Sequence, residues 1–166
     1  MLSRIRALVL FFVVALVLSG VTAFPIQSQL EFLEPLFAAD TLLNNAWPEL
    51  AAWLQYVLKG YRETNVAYPF MGYGTDWLAF AHIAIAGAFW GVWKDPVRNI
   101  WIVEWAMACC VGVLVLAIVC GPIRGIPWFW TIADSSFGIL GLPPLLWLRK
   151  EILELAAQRA LEPAGA

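Results

Sequence analysis

Five ionisable side chains stand in or beside long apolar runs: Asp76, His82, Glu104, Arg124 and Asp134. Charges at such positions are costly and usually face a protein interior, where they relay protons, bind ions or ligands, or pair with one another. His82 is expected about six residues, roughly 9 Å, inside the outer end of its helix, and Asp134 at a similar depth in another. The two could meet across the bundle. Asp76 and Arg124 fall at the outer boundary and suit a pair there. Glu104 falls near the inner boundary, within reach of Lys94 or Arg98. A purely architectural role is the competing expectation. In it Asp76 caps a helix after Gly72-Tyr73-Gly74-Thr75, Glu104 reaches to the interface, and His82 with Asp134 fixes helix register.

Other chemistry can be argued against. One histidine cannot supply bis-histidine haem ligation within one chain. Cys109 and Cys110 are adjacent in a predicted helix, with Cys120 about 15 Å further along its axis, too far for a disulfide. No Cys-x-x-Cys pair, zinc-ligand spacing, phosphate loop or Gly-x-Ser-x-Gly elbow occurs. Ser135-Ser136 follow Asp134 without a histidine at local spacing. No catalytic or metal-ligating set is assigned and the cofactor stays unspecified. A net charge of −2 gives no basis for a nucleic-acid partner.

The acids coincide with small residues. Asp134, Gly138 and Gly141 are spaced to share one side of a helix. Asp76 shares a side with Gly87, with Gly91 close by. Ala108 and Gly112 repeat the small-xxx-small spacing near the Glu104 face. Small residues let membrane helices approach closely, so these faces are expected to be contact faces with the acids turned into them.

The elements that must position these residues are apolar helices. The chain has 166 residues, 62% hydrophobic and 13% charged, about half the charge of a soluble domain. Four runs, 7–24, 76–93, 99–120 and 126–148, approach or exceed the roughly 17–25 residues of a membrane span. The expected fold class is an all-α integral membrane protein, a single four-helix domain. Arg4, Arg6, Lys94, Arg98, Arg149 and Lys150 lie on one side of such an arrangement, against Lys59, Arg62 and Arg124 on the other. This places both termini in the cytoplasm. Trp77, Trp128 and Trp130 mark the outer ends, and Trp90, Trp93, Trp101, Trp105 and Trp147 the inner ones, the headgroup depth tryptophan prefers. Residues 1–23 also resemble a signal peptide, with basic residues, an apolar run and a small residue before a cut after Ala23. An uncleaved anchor is the favoured expectation.

Three connections follow. Asp95 and Pro96 suit the start of the third helix. Gly121-Pro122 and Gly125-Ile126-Pro127 punctuate an outer turn. Pro143-Pro144 should bend or loosen the fourth helix. Residues 25–75 form the one sizeable segment outside the spans. The run 48–61 has helical spacing, with Asn44 or Asn45 as a cap. This segment is expected to form one or two amphipathic helices on the outer membrane surface, or a small cap, with a docking surface compatible with either.

The strings Gly74-Thr75-Asp76-Trp77-Leu78-Ala79-Phe80-Ala81-His82, Asp95-Pro96-Val97-Arg98-Asn99 and Gly121-Pro122-Ile123-Arg124-Gly125-Ile126-Pro127 resemble a family of uncharacterised small bacterial inner-membrane proteins over residues 68–142. The resemblance implies a cytoplasmic-membrane location and carries no activity or catalytic residue with it. The leading expectation for function is an accessory, assembly or structural subunit working with other membrane proteins or with itself. The alternatives are a small oligomeric transporter or proton-conducting module using His82, Asp134, Asp76 and Glu104, and a haem-, pigment- or quinone-binding subunit.

Overall fold

The structure is a computed structural model that describes residues 1–161. These are 88% helix with no strand. Seven α-helices follow in order: α1 (Leu2–Ala23), α2 (Ile26–Leu33), α3 (Leu42–Ala46), α4 (Pro48–Ala67), α5 (Gly72–Lys94), α6 (Ile100–Ile123) and α7 (Trp128–Leu161). Short 3₁₀ turns at Glu34–Leu36 and Pro69–Met71 join α2 to α3 and α4 to α5.

Four of these helices are long and apolar enough to cross a membrane: α1, α5 with the turn before it, α6 and α7. Their outer surfaces make the same point. On α6 only Ile102, Val103 and Gly121 are buried, while Val111, Val115, Leu116, Ile118, Val119 and Ile123 are all exposed. In water each exposed methylene forgoes about 0.8 kcal/mol of burial. Against hydrocarbon that cost disappears. The chain is a membrane protein.

The helices form two compact units, Met1–Val14 with Ala86–Ala166, and Ala15–Ile85. In the first, Ile5 and Val9 of α1, Phe89 and Val92 of α5, Ile102 and Val103 of α6, and Leu145, Leu148 and Ile152 of α7 are buried. Phe12 stacks on Phe89 with ring centroids 5.7 Å apart. Two glycines explain how closely α6 and α7 approach. A Cβ added at Gly138 would run into the Cys110 carbonyl oxygen, and one at Gly121 would come within 2.9 Å of Thr131 Oγ1. Gly125 turns the chain between the two helices with φ +69°, a backbone region that favours glycine.

The turn into α6 differs from expectation. Asp95 and Pro96 do not open the helix; α6 begins at Ile100. Asp95 Oδ1 instead accepts a hydrogen bond from the Arg98 backbone N–H within the turn. Asn99 closes it, its amide donating to the carbonyls of Gly91 at 3.0 Å and Asp95 at 2.9 Å. Helix α7 holds Pro143 and Pro144 inside one element described to Leu161; it continues beyond the apolar run because residues 149–161 are mostly Leu, Ala, Glu, Arg and Lys, all good helix formers.

In the second unit the short helices between α1 and α5 share a small core of their own. Phe37, Ala51 and Leu58 are buried, with Leu30, Leu43 and Leu54 packed around them. Thr41 caps α3, its hydroxyl accepting from the Asn44 N–H at 3.2 Å. Asn44 and Asn45 therefore lie inside α3 and do not cap the next helix. Helix α4 starts at Pro48, whose ring presets the first helical φ and whose missing N–H would have been unused there. It extends to Ala67, six residues past the predicted run. Deeper in this unit α1 and α5 touch at Gly20, where an added Cβ would lie 2.7 Å from the Ala79 carbonyl oxygen.

Candidate functional site

Of the five ionisable residues singled out by sequence, Glu104 has the clearest partner. It accepts a hydrogen bond from Arg149 Nε at 2.9 Å, tying α6 to α7. Lys94 and Arg98, the cations nearest in sequence, do not take it. Arg149 comes from a different helix, so local spacing carried no sign of it. Asp134 is half-buried on α7 and has no ion-pair partner within its unit among the described residues. Gly138, one turn along on the same side, lies against Cys110. Arg124 is exposed at the end of α6, its backbone N–H satisfied by carbonyls of the last turn.

His82 and Asp76 belong to the other unit. His82 Nδ1 is 2.8 Å from the Leu78 carbonyl oxygen of its own helix. With Nδ1–H donating, Nε2 is the free ring nitrogen. Asp76 is half-buried in the second turn of α5. It does not occupy the cap position, because the 3₁₀ turn at Pro69–Met71 leads the chain into the helix at Gly72, four residues earlier.

The small residues divide into two groups. A Cβ added at Gly138 would meet the Cys110 backbone, one at Gly141 would lie 3.2 Å from Cys110 Sγ, and one at Gly91 3.2 Å from the Asn99 side chain and from Ile102. Gly87 and Gly112 face open space, and Ala108 is exposed. The three cysteines are free, and no group of three or more His, Cys, Asp or Glu side chains is placed to hold a metal among the described residues.

Two polar arrangements were not visible in the sequence. The first is centred on Glu151 of α7, which is buried. Its Oε1 accepts from Trp147 Nε1 at 3.1 Å and from Arg4 Nη1 at 3.4 Å. Its Oε2 is buried with no hydrogen-bond partner. Arg4 and Glu151 are 147 residues apart, and the sequence reading placed Glu151 beyond the apolar run, where a solvated side chain is the ordinary expectation. The second arrangement ties α2 and the turn after it to α4. Arg62 of α4 donates from Nη1 and Nη2 to both oxygens of Glu34, at 3.0 and 2.8 Å, and from Nε to Glu31 at 3.2 Å. Gln27 donates to Glu31 at 3.0 Å and accepts from Asn65 at 2.8 Å.

This second network predicts a pH response. The Gln27 amide and then the Arg62 guanidinium hold the Glu31 carboxyl below its ordinary value of 4.5. Arg62 does the same for Glu34. The two carboxylates in turn raise Arg62. Because the folded carboxyls titrate lower than unfolded ones, their stabilisation is in force above pH 4.5 and is lost as the pH falls through their lowered folded values. The groups are partly exposed, so the effect is screened. Proteolysis of α2–α4 should show wild type better protected than Arg62→Gln at pH 7, and the two equally protected in strong acid. A difference that does not change with pH would exclude the ion-pair origin.

No protein-family model matches this chain, and no curated protein or solved structure does so either.

Proposed function

We propose that this chain is an accessory or assembly subunit of a larger complex in a bacterial cytoplasmic membrane, with both termini cytoplasmic and residues 25–75 outside. One observation carries the reading. The helices outside the spans show large apolar side chains to the exterior even though they have a core of their own. Phe32 is 83% exposed, Leu42 90% and Val66 87%, with Tyr56 and, at the end of α4, Tyr68 also exposed. Large apolar side chains exposed in this number outside the spans mark a contact with protein or membrane. Proton conduction draws less support, since Glu104 is held by Arg149 and His82 Nδ1 by its own helix.

Photo-crosslinking side chains placed at Phe32, Leu42 and Val66 test this in intact membranes. The same membrane protein should be captured from all three positions and not from Lys59. Capture of lipid alone would overturn the reading and leave an amphipathic segment lying on the bilayer.

The proposal includes retention of α1. Ile5 and Val9 are fully buried in the first unit, Phe12 stacks on Phe89, and Arg4 binds Glu151. Removing residues 1–23 would strip all of these contacts. The intact mass of the purified protein should therefore include them. A mature chain beginning at Phe24 would contradict this.

A further inference from the structure

The first unit contains eight cations, and the structure divides them evenly. Four have a carboxylate: Arg4 with Glu151, Arg149 with Glu104, Lys150 with Glu154 and Arg159 with Asp95. Four have none among the described residues: Arg6, Lys94, Arg98 and Arg124. Arg124 ends α6, about 36 Å along the axis from its start. The other three gather at the opposite end, where α5 finishes.

Their surroundings are aromatic. The Arg6 guanidinium lies 5.5 Å from the centroid of the Trp93 ring, and the Lys94 ammonium 5.3 Å from that of Trp90. Trp90 and Trp93 are three residues apart on α5 and hence neighbours on its surface. Arg98 follows one turn later, exposed. Arg6 and Lys94 keep their charges unmatched while their ring partners set their height, because tryptophan settles at the headgroup level of a bilayer.

Deeper along the same two helices the surface is apolar and open at Gly87. Leu10 lies one turn below Arg6 on α1 and is exposed. Gly87 lies three residues below Trp90 on α5, and a Cβ there would meet nothing within 4 Å. The order is thus cations, indole rings, then exposed apolar surface with no side chain at Gly87. It matches a phosphate diester followed by its acyl chain.

We propose that this end of the first unit is a binding site for an anionic phospholipid, with Arg6, Lys94 and Arg98 facing the phosphate and an acyl chain lying over Gly87. Charge decides for an anionic lipid over a zwitterionic one. Three unmatched positive charges gain from a net-negative headgroup and little from a neutral one.

The test is native mass spectrometry of the full chain released from nanodiscs holding equal phosphatidylglycerol and phosphatidylethanolamine. Wild type should retain phosphatidylglycerol preferentially. Each of Arg6→Gln, Lys94→Gln and Arg98→Gln should reduce that preference about fivefold, the weight of one cation near a membrane surface. Gly87→Leu should reduce lipid retention without altering charge, and Lys59→Gln in the other unit should change nothing. Soluble glycerophosphate should fail to compete. Equal retention of both lipids, an unchanged preference in the charge variants, an equal loss in Lys59→Gln, or full competition by glycerophosphate would each overturn the proposal. Should Arg6→Gln fail to insert, Lys94→Gln and Arg98→Gln carry the test alone.

Discussion

Gly138→Leu is expected to destabilise the α6–α7 pair more than any other single glycine replacement in the chain. The atom an added Cβ would strike is the Cys110 carbonyl oxygen. A flexible side chain can swing away, but a carbonyl in the middle of a helix moves only if the helix moves. Overpacking a close contact costs about 1–3 kcal/mol and occasionally more, and a fixed backbone neighbour puts this site at the upper end. Gly138→Ala should also destabilise, although alanine gains up to about 1 kcal/mol of helix propensity over glycine. Gly112 supplies the contrast, since a Cβ there meets nothing within 4 Å. Gly112→Ala should be neutral or slightly stabilising. Denaturation in mixed detergent, followed by loss of helicity, measures all three. Equal effects at Gly138 and Gly112 would show that α6 and α7 do not pack through Gly138.

Reversing the charge at Glu151 is the second large effect. This carboxylate is buried, and Trp147 and Arg4 donate to its Oε1. A buried charge left without a counter-charge costs about 3–5 kcal/mol, because it has no water to replace the missing partner. In Glu151→Lys the new ammonium would be buried beside Arg4, so the full cost applies. The Arg4 side chain is 68% exposed, so Arg4→Glu alone should cost about 1 kcal/mol or less. The double variant restores opposite charges and should recover part of the loss. Glu151→Gln keeps an acceptor for Trp147 and removes the charge from an environment where Oε2 has no partner. It should be close to neutral. Thermal unfolding of wild type and the four variants in one detergent provides the comparison. Additive single effects in the double variant would exclude a direct Arg4–Glu151 interaction.

The parts of the structure that can be read from sequence are those fixed by local pattern. Apolar length located all four long helices, because a span is a property of consecutive residues. Their ends were less legible. Pro69 starts a 3₁₀ turn that carries α5 upstream of Asp76, and no change in hydropathy marks where α7 stops. The Asn99 side chain closes a turn that Asp95 and Pro96 seemed placed to turn into a helix start. Pairing across distant helices was the least legible. Nothing near Glu104 announces Arg149, nothing near Glu151 announces Arg4, and nothing in residues 26–34 announces Arg62. The glycines show the same limit from another side. Spacing alone treats Gly87 and Gly138 alike, yet one faces open space and the other a backbone carbonyl.

The length of α7 has a mechanical consequence. Its 34 residues make a rod of about 51 Å at 1.5 Å per residue, against a hydrocarbon thickness of about 30 Å. Tilted by about 40°, the steep end of the common range, it still reaches roughly 39 Å along the membrane normal. The excess must stand clear of the hydrocarbon, and the Arg159–Asp95 contact at 3.5 Å moors the far end to the α5–α6 turn.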